Sequence, residues 1–252
     1  MNIVIPLAGK GTRFKKAGFT EPKVLINVLG KPMFYWSLKS LNQLTSQNQV
    51  TFVCLDEHLN NTKLKENIYQ YCPNANIVAI NEYTRGQAET VLETEDFIKK
   101  NQPLLVFNGD TYQELPYINH ILNSNSTKGK IFVFTSSNPS YSYVDINKNN
   151  EVTDIKEKKV ISKYATTGLY YFPSTERYIS ATKEIINSRN STEGEYYISN
   201  VIQRMLEKGE HFEIIKVEKC YTLGTPMELE SFKRRKRDGE GLLCLDLKYS
   251  LD

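Results

Sequence analysis

Short apolar runs alternate with polar, helix-patterned stretches along the first half of the chain. Ile3-Val4-Ile5 reads as a buried strand and runs straight into a Gly-rich segment. A second short apolar run covers 24–28, followed by Gly30-Lys31-Pro32, with Pro32 suited to the start of a helix. Met33, Trp36, Leu38, Leu41 and Leu44 approximate one helical face, which makes Trp36 a core residue. Residues 50–55 read as a strand, and 57–71 as an amphipathic helix ended by Cys72-Pro73-Asn74. Residues 76–80 read as a strand, and a helix from Gly86 is expected to reach about Lys100. Leu104-Leu105-Val106-Phe107 is a fully apolar strand. This β/α alternation predicts parallel βαβ units in a doubly wound sheet.

The rhythm changes after a strand at 130–135. Residues 136–143 are rich in Ser, Asn, Pro and Tyr and read as a loop. Residues 143–146 and 151–155 flank Asn147-Lys148-Asn149-Asn150 as a hairpin. A strand over 164–172, a helix starting at Ser174-Thr175, a helix over 199–208 and a strand over 212–217 follow, and a last helix starts over 227–232. The expected fold class is α/β: a Rossmann-like doubly wound mixed sheet with a smaller α+β acceptor-binding lobe. One domain covers 1–232, with a nucleotide-binding half to about 139 and an acceptor-binding half from about 140. A basic tail, 233–252, begins Lys233-Arg234-Arg235-Lys236-Arg237 and is read as structural, available for contacts in a homodimer. Within it, Leu242-Leu243-Cys244-Leu245-Asp246 faintly resembles the start of a haloacid-dehalogenase phosphatase. The second Asp and Gly of that motif are missing, with Lys248 and Tyr249 present.

Composition narrows the possibilities. A chain of 252 residues can bury a sizeable core. With 32 basic and 29 acidic residues, charge argues for no nucleic-acid partner. The four cysteines are scattered without a Cys-x-x-Cys pair, so no structural metal site follows, and Cys54 and Cys220 read as core thiols. No charged-plus-apolar leader and no run near the ~18 apolar residues of a membrane span is present, so the expectation is a cytoplasmic protein away from membranes.

Candidate chemistry gathers at strand ends. Gly9 and Gly11 let backbone N–H groups curl round an anion, Arg13 offers a planar fork of donors, and Lys23 a movable charge. Together they read as a phosphate site, against the plainer reading of a polar turn with two solvated cations. Gly86-Gln87 reads as a base pocket or as a plain helix start. Asp110 follows the apolar strand at its carboxyl end, where ligands of α/β sheets gather, and suits Mg²⁺; the alternative is a turn Asp. His58, His120 and His211 lie in helix-like or polar contexts and form no catalytic set.

Ala8-Gly9-Lys10-Gly11-Thr12-Arg13-Phe14 with Pro22-Lys23 resembles the signature of the nucleotidylyltransferase superfamily. Its members join an NTP to a phosphorylated small molecule and release pyrophosphate. The resemblance implies a nucleotide loop of Leu7, Ala8, Gly9, Gly11, Thr12 and Arg13, with Arg13 on the β/γ phosphates. It implies Arg85, Gly86, Gln87 and Thr90 around the nucleotide, and Asp110 as ligand of Mg²⁺, with Mn²⁺ as its substitute. Glu157, Lys158, Gly168 and Glu195 fall beside the acceptor, and Lys23 and Lys158 take its phosphate and the reacting phosphates. The implied catalytic set is Arg13, Lys23, Asp110 and Lys158.

The loop is one Gly shorter than the common sugar-phosphate pattern, which resembles the cytidylyltransferases and points to CTP as substrate. The nearest likeness is to the small capsule-pathway cytidylyltransferases, the CTP:phosphoglutamine type among them. The alternative is a sugar-1-phosphate nucleotidylyltransferase using UTP, dTTP or GTP. Two departures stand out. Lys159 replaces the family's usual Pro, and Tyr221-Thr222-Leu223-Gly224-Thr225-Pro226 puts Thr222 where a second metal-binding Asp is usual. Either Asp110 acts with phosphate and water alone, or another acid, Glu195 or Asp145, moves in. Loss of that Asp also keeps open a non-catalytic nucleotide-binding protein. A glycosyltransferase of related topology would want Asp-x-Asp where this chain has Gly109-Asp110-Thr111-Tyr112.

Overall fold

The computed structural model describes residues 1–123 and 127–237. The expected tail from 238 onward, with Cys244 and the phosphatase-like stretch, lies outside the described residues. The first part of the chain carries β1 (Asn2–Pro6), α1 (Thr12–Lys16), β2 (Asn27–Val28), β3 (Lys31–Pro32), α2 (Met33–Ser40), α3 (Asn42–Thr45) and β4 (Gln49–Leu55). Next come α4 (Asp56–Asn61), α5 (Leu64–Tyr71), β5 (Asn76–Ile80), α6 (Gln87–Leu92), β6 (Leu104–Phe107), β7 (Thr111–Gln113), α7 (Ile118–Leu122) and β8 (Gly129–Thr135). The remainder carries β9 (Tyr143–Ile146), β10 (Val152–Lys156), β11 (Tyr164–Phe172), α8 (Thr175–Asn187), α9 (Ile198–Glu207), β12 (Phe212–Lys216), β13 (Cys220–Thr222) and α10 (Pro226–Arg237).

The centre of the sheet is parallel, in the order β6-β1-β4-β5. β1 and β6 are almost wholly apolar because both their faces are covered, the pattern of central parallel strands, whereas β5 at the edge is partly exposed. β11 then pairs antiparallel with β6, and β8 with β11, which makes the sheet mixed as expected. β11 splits its pairing along one edge. Its last four residues pair with β6 and its first two with the β9–β10 hairpin. Gly168 lies at the split with φ +82°, and Asn108 fills the space a Cβ there would take. The Asn108 N–H also donates to the Gly168 carbonyl at 3.1 Å. The sheet therefore opens where β6 ends, and the cleft lies at that opening.

Two helices are shorter than the periodicity predicts. The stretch expected as one helix over 57–71 is two, α4 and α5, broken at Thr62. The Thr62 hydroxyl donates to the His58 carbonyl at 2.6 Å and accepts the Leu64 N–H at 3.2 Å. The helix from Gly86 ends at Leu92 rather than near Lys100. Buried Thr94 donates its hydroxyl to the Val91 carbonyl at 2.7 Å, a local bond that competes with helix continuation. The expected apolar run at 24–28 forms a single 3-10 turn (Lys23–Leu25) and the two-residue strand β2. Val24, Ile26 and Val28 are all buried there.

Trp36 is core, as expected, and donates its indole N–H to the Val28 carbonyl at 3.0 Å. It packs with Tyr112, Tyr221 and Phe232 into a third cluster that seats α10 against β7 and β13. Lys236, from the basic run, lies 4.7 Å above the Tyr112 ring, so part of that run covers aromatic surface. Among the described residues no helix is long and apolar enough to cross a membrane.

Gly86, with φ +130°, is clipped to the loop before α9. The Tyr196 N–H donates to the Arg85 carbonyl at 2.7 Å, and the Ala88 N–H to the Tyr196 carbonyl at 2.9 Å. A Cβ on Gly86 would lie 2.5 Å from the Tyr196 carbonyl oxygen, which is backbone and cannot swing aside. Gly86→Ala is expected to cost about 2–4 kcal/mol in urea-induced unfolding. A cost below about 0.5 kcal/mol would show that the two lobes are not joined through this clip.

Candidate active site

The carboxyl ends of β1 and β6 and the opening in the sheet frame a cavity of about 200 Å³. Arg13, Gln87, Asp110, Glu157 and Gly168, all singled out from the sequence, line it. So do Thr222, at the position expected of the second metal ligand, and Asn108, Tyr141, Ser142 and Glu228, which were not among the expected site residues.

The phosphate side is built round an ion pair. Gly11 is left-handed (φ +62°), and a Cβ there would stand 3.1 Å from the Lys23 Cβ. The loop can therefore close onto Lys23 only with glycine at this position. The Lys23 ammonium pairs with the Asp110 carboxylate, and the two side chains are 18% and 25% exposed. Lys23 also lies 5.7 Å from the centre of the Phe14 ring. Arg13 is exposed at the cavity edge and has no carboxylate partner among the described residues. Leu7 and Ala8 are buried beneath the loop, while Gly9 has open space on its Cβ side. Thr12 begins α1.

On the base side, Gln87 donates its amide to Asn108 Oδ1 at 2.6 Å, so two amides stand side by side on the cavity wall. Thr90 is buried and holds the turn, sharing a 2.6 Å hydrogen bond with Thr84 and donating to the Gly86 carbonyl. Arg85 is exposed, forks onto Glu89 and stacks 5.1 Å from the Tyr196 ring. Neither Thr90 nor Arg85 lines the cavity.

The opposite wall is rich in hydroxyls. Glu157, just past β10, accepts hydrogen bonds from Ser142 and, at 2.7 Å, from Ser199, both on Oε2. Burial pushes its carboxyl above the usual range, and the two hydroxyls partly oppose that shift. Tyr170 and Thr166 share a hydrogen bond of 2.8 Å beside it. Lys158 sits outside the cavity at φ +53°, bonded to Glu193 and 5.2 Å from the Tyr197 ring. The Glu193 carboxylate first, and then Tyr197, hold its ammonium well above the usual lysine range. Glu195 is exposed and accepts the Tyr197 hydroxyl at 2.5 Å. Burial, then Glu195, pushes that phenol up to about 12.

Neither acid weighed as a replacement for the missing carboxylate reaches Asp110. Asp145 is exposed on β9 and bonds the next N–H, while Glu195 is tied to Tyr197. The acid at that end of the cavity is Glu228, in the first turn of α10. It accepts the Thr222 hydroxyl at 2.6 Å and the Tyr141 hydroxyl at 2.8 Å. Thr225-Pro226-Met227-Glu228 carries the S/T-x-x-E signature of a helix start, the one sequence signal that places Glu228 a turn beyond Gly224. Among the described residues no three His, Cys, Asp or Glu side chains gather to hold a metal ion. Oxygen donors from one or two carboxylates nonetheless fit Mg²⁺, which completes its shell with phosphate and water.

The family model described as nucleotidyl transferase matches residues 3–233. The nucleoside-diphosphate-sugar pyrophosphorylase of Vibrio cholerae RC9 superposes with a TM-score of 0.80 at 28% identity, over 92% of this chain and 99% of its own. The bifunctional protein GlmU of Thermodesulfovibrio yellowstonii is 28% identical over 94% of this chain and 52% of its own. The chain spans about half the length of the GlmU relatives it matches. The inositol-1-phosphate CTP transferase of T. maritima shares the fold, with a TM-score of 0.75 at 16% identity.

The raised carboxyl of Glu157 has a consequence for stability. A folded-state value above the unfolded one, about 4.3 for Glu, favours the fold at low pH. That advantage is lost as pH rises through the folded value. The melting temperature of the wild type relative to Glu157→Gln is therefore expected to be highest near pH 4 and to fall as pH rises. A difference independent of pH would contradict the burial of this carboxylate.

Proposed function

The chain belongs to the nucleotidyl transferase family, and from that premise we propose that it is a sugar-1-phosphate nucleotidylyltransferase. It joins an NTP to a phosphorylated, hydroxyl-rich acceptor and releases pyrophosphate. The observation that carries the choice of acceptor is the wall round Glu157. A half-buried carboxylate among Ser142, Ser199, Thr166 and Tyr170 is suited to receive the hydrogens of a polyol. The name of the Vibrio cholerae relative, a nucleoside-diphosphate-sugar pyrophosphorylase, supports the same class.

In this reading an oxygen of the acceptor phosphate attacks the α-phosphorus in line, and the bond to pyrophosphate breaks. The nucleophile is already ionised near neutral pH, so the site needs no general base. Its task is positioning and charge neutralisation. The exposed guanidinium of Arg13 receives the β/γ phosphates and the leaving group. Lys23 exchanges Asp110 for phosphate, and Lys158 leaves Glu193 for the acceptor phosphate. The Gln87–Asn108 amides read the base edge, with Gly86 letting the base lie close. Leu7, Ala8, Gly9, Gly11 and Thr12 shape the loop, and Gly168 and Glu195 flank the acceptor. Asp110 holds Mg²⁺, or Mn²⁺ in its place, which when bound neutralises charge on the phosphates. A cytoplasmic location and small-molecule partners, with a second copy of the chain as the only protein partner, complete the reading.

CTP with a phosphorylated amino-acid amide, the capsule-type reaction on phosphoglutamine, is the second reading. The shortened loop from Ala8 to Arg13 favours it. Glu157 would then face an ammonium or amide instead of sugar hydroxyls.

Pyrophosphate release separates the readings when each of the four NTPs is run against hexose-1-phosphates and phosphorylated amino-acid amides. Turnover is expected with UTP or dTTP and a hexose-1-phosphate, and Asp110→Asn should lose at least about 100-fold in kcat/KM. Turnover restricted to CTP and an amide would move the chain to the second reading. Nucleotide binding with no turnover on any acceptor would make it a nucleotide-binding protein.

A further inference from the structure

We propose that Glu228 supplies the second carboxylate for the divalent cation of this site, in place of any ligand at position 222. The inference rests on the nucleotidylyl-transfer reading above. Thr222 supplies no second carboxylate: its neutral hydroxyl donates to Glu228 Oε1 at 2.6 Å and brings no negative charge to a cation. Tyr141 donates to the same oxygen at 2.8 Å, which fills its two lone-pair directions. Glu228 Oε2 receives the Thr225 hydroxyl at 3.0 Å and keeps a direction open.

That open oxygen is the one turned towards Asp110. A Cβ placed on Gly224 would stand 3.3 Å from Glu228 Oε2 and 3.6 Å from Asp110 Oδ2. The two carboxylates thus border one small volume that is free only because residue 224 has no side chain. The Leu223 N–H donates to the Asp110 carbonyl at 2.8 Å, which ties the segment carrying Gly224 to the end of β6. Asp110 Oδ2 already carries the Lys23 ammonium, so the side of the volume that a metal ion would take attracts a cation.

A capping role alone does not explain Glu228. Thr225 does cap α10, accepting the Glu228 N–H at 3.2 Å. The carboxylate itself is held by hydroxyls from three separate segments: the loop at Tyr141, the end of β13 and the turn at Thr225. Hydrogen bonds of that kind fix the direction of a metal-binding carboxylate. Moving the ligand from a strand end to the first turn of a helix needs a longer arm, and Glu in place of Asp provides it.

The test reads metal binding directly. Mn²⁺ is titrated into metal-free protein and the free ion is followed by electron paramagnetic resonance. Glu228→Gln is expected to weaken Mn²⁺ binding about tenfold or more, while nucleotide binding in EDTA stays as in the wild type. Thr222→Asp combined with Glu228→Gln is expected to recover the affinity, which a purely structural role of Glu228 would not allow. Glu228→Asp, which keeps the charge and shortens the arm, should also weaken binding and serves if Glu228→Gln does not fold. Wild-type affinity in folded Glu228→Gln or Glu228→Asp overturns the proposal, as does failure of the folded double variant to recover. Asp110→Asn separates the two levels. If it too binds Mn²⁺ like the wild type, the metal site at Asp110 is wrong. If it alone loses the ion, only the role of Glu228 is wrong.

Discussion

The ion pair between Lys23 and Asp110 joins the Gly-rich loop to the end of β6, and the phosphate side of the cavity is built around it. Such a partly exposed pair contributes at most about 1 kcal/mol to stability, so its importance lies in placement. Gly11 must be left-handed and bare for the loop to reach Lys23. The Thr111 N–H is held by the Ser37 hydroxyl at 3.1 Å, which fixes the strand end that carries Asp110. Two phosphates repel each other, and a site that joins them needs cations that can be released to them. In the proposed reaction Lys23, Arg13 and Lys158 meet that need in different ways. Arg13 has no carboxylate partner among the described residues, whereas Lys23 and Lys158 are each parked on a carboxylate.

The cavity is possible because β11 does not follow β6 along its whole length. The split at Gly168 separates the part of β11 that pairs with β6 from the part that pairs with the hairpin β9–β10, and Asn108 fills the gap and accepts a hydrogen bond from Gln87. One amide pair therefore links the base wall to the sheet opening. Glu157 and its serines sit on the far side of the same opening, contributed by the hairpin and α9. The first and second halves of the chain meet along these contacts and the clip between Gly86 and Tyr196.

Much of this was legible in the sequence, for identifiable reasons. The strand over 104–107 matches its expected bounds because a strand covered on both faces is apolar from end to end, and the strand over 164–172, interrupted by Thr166-Thr167-Gly168, was placed by family resemblance. Helix lengths were less legible. Thr62 and Thr94 end helices through bonds to nearby backbone groups, and hydrophobic periodicity carries no trace of them. Within the cavity, Arg13, Gln87, Asp110, Glu157 and Gly168 were found from local pattern and family resemblance. Glu228 was missed because its place depends on β13 folding back onto β7 and carrying α10 with it, a contact across more than a hundred residues. Arg85 and Thr90 lie off the cavity, since neighbours in a motif need not point the same way on a short helix.

The proposal turns on the acceptor phosphate attacking the α-phosphorus of the nucleotide. The most direct measurement uses an acceptor whose phosphate oxygens are labelled with ¹⁸O and follows the products by ³¹P nuclear magnetic resonance. The expected result is an isotope-shifted α-phosphorus in a new diphosphate, with the label in the bridge and pyrophosphate free of it. Label in the released pyrophosphate, or unlabelled orthophosphate as the only product, would contradict nucleotidylyl transfer at this site.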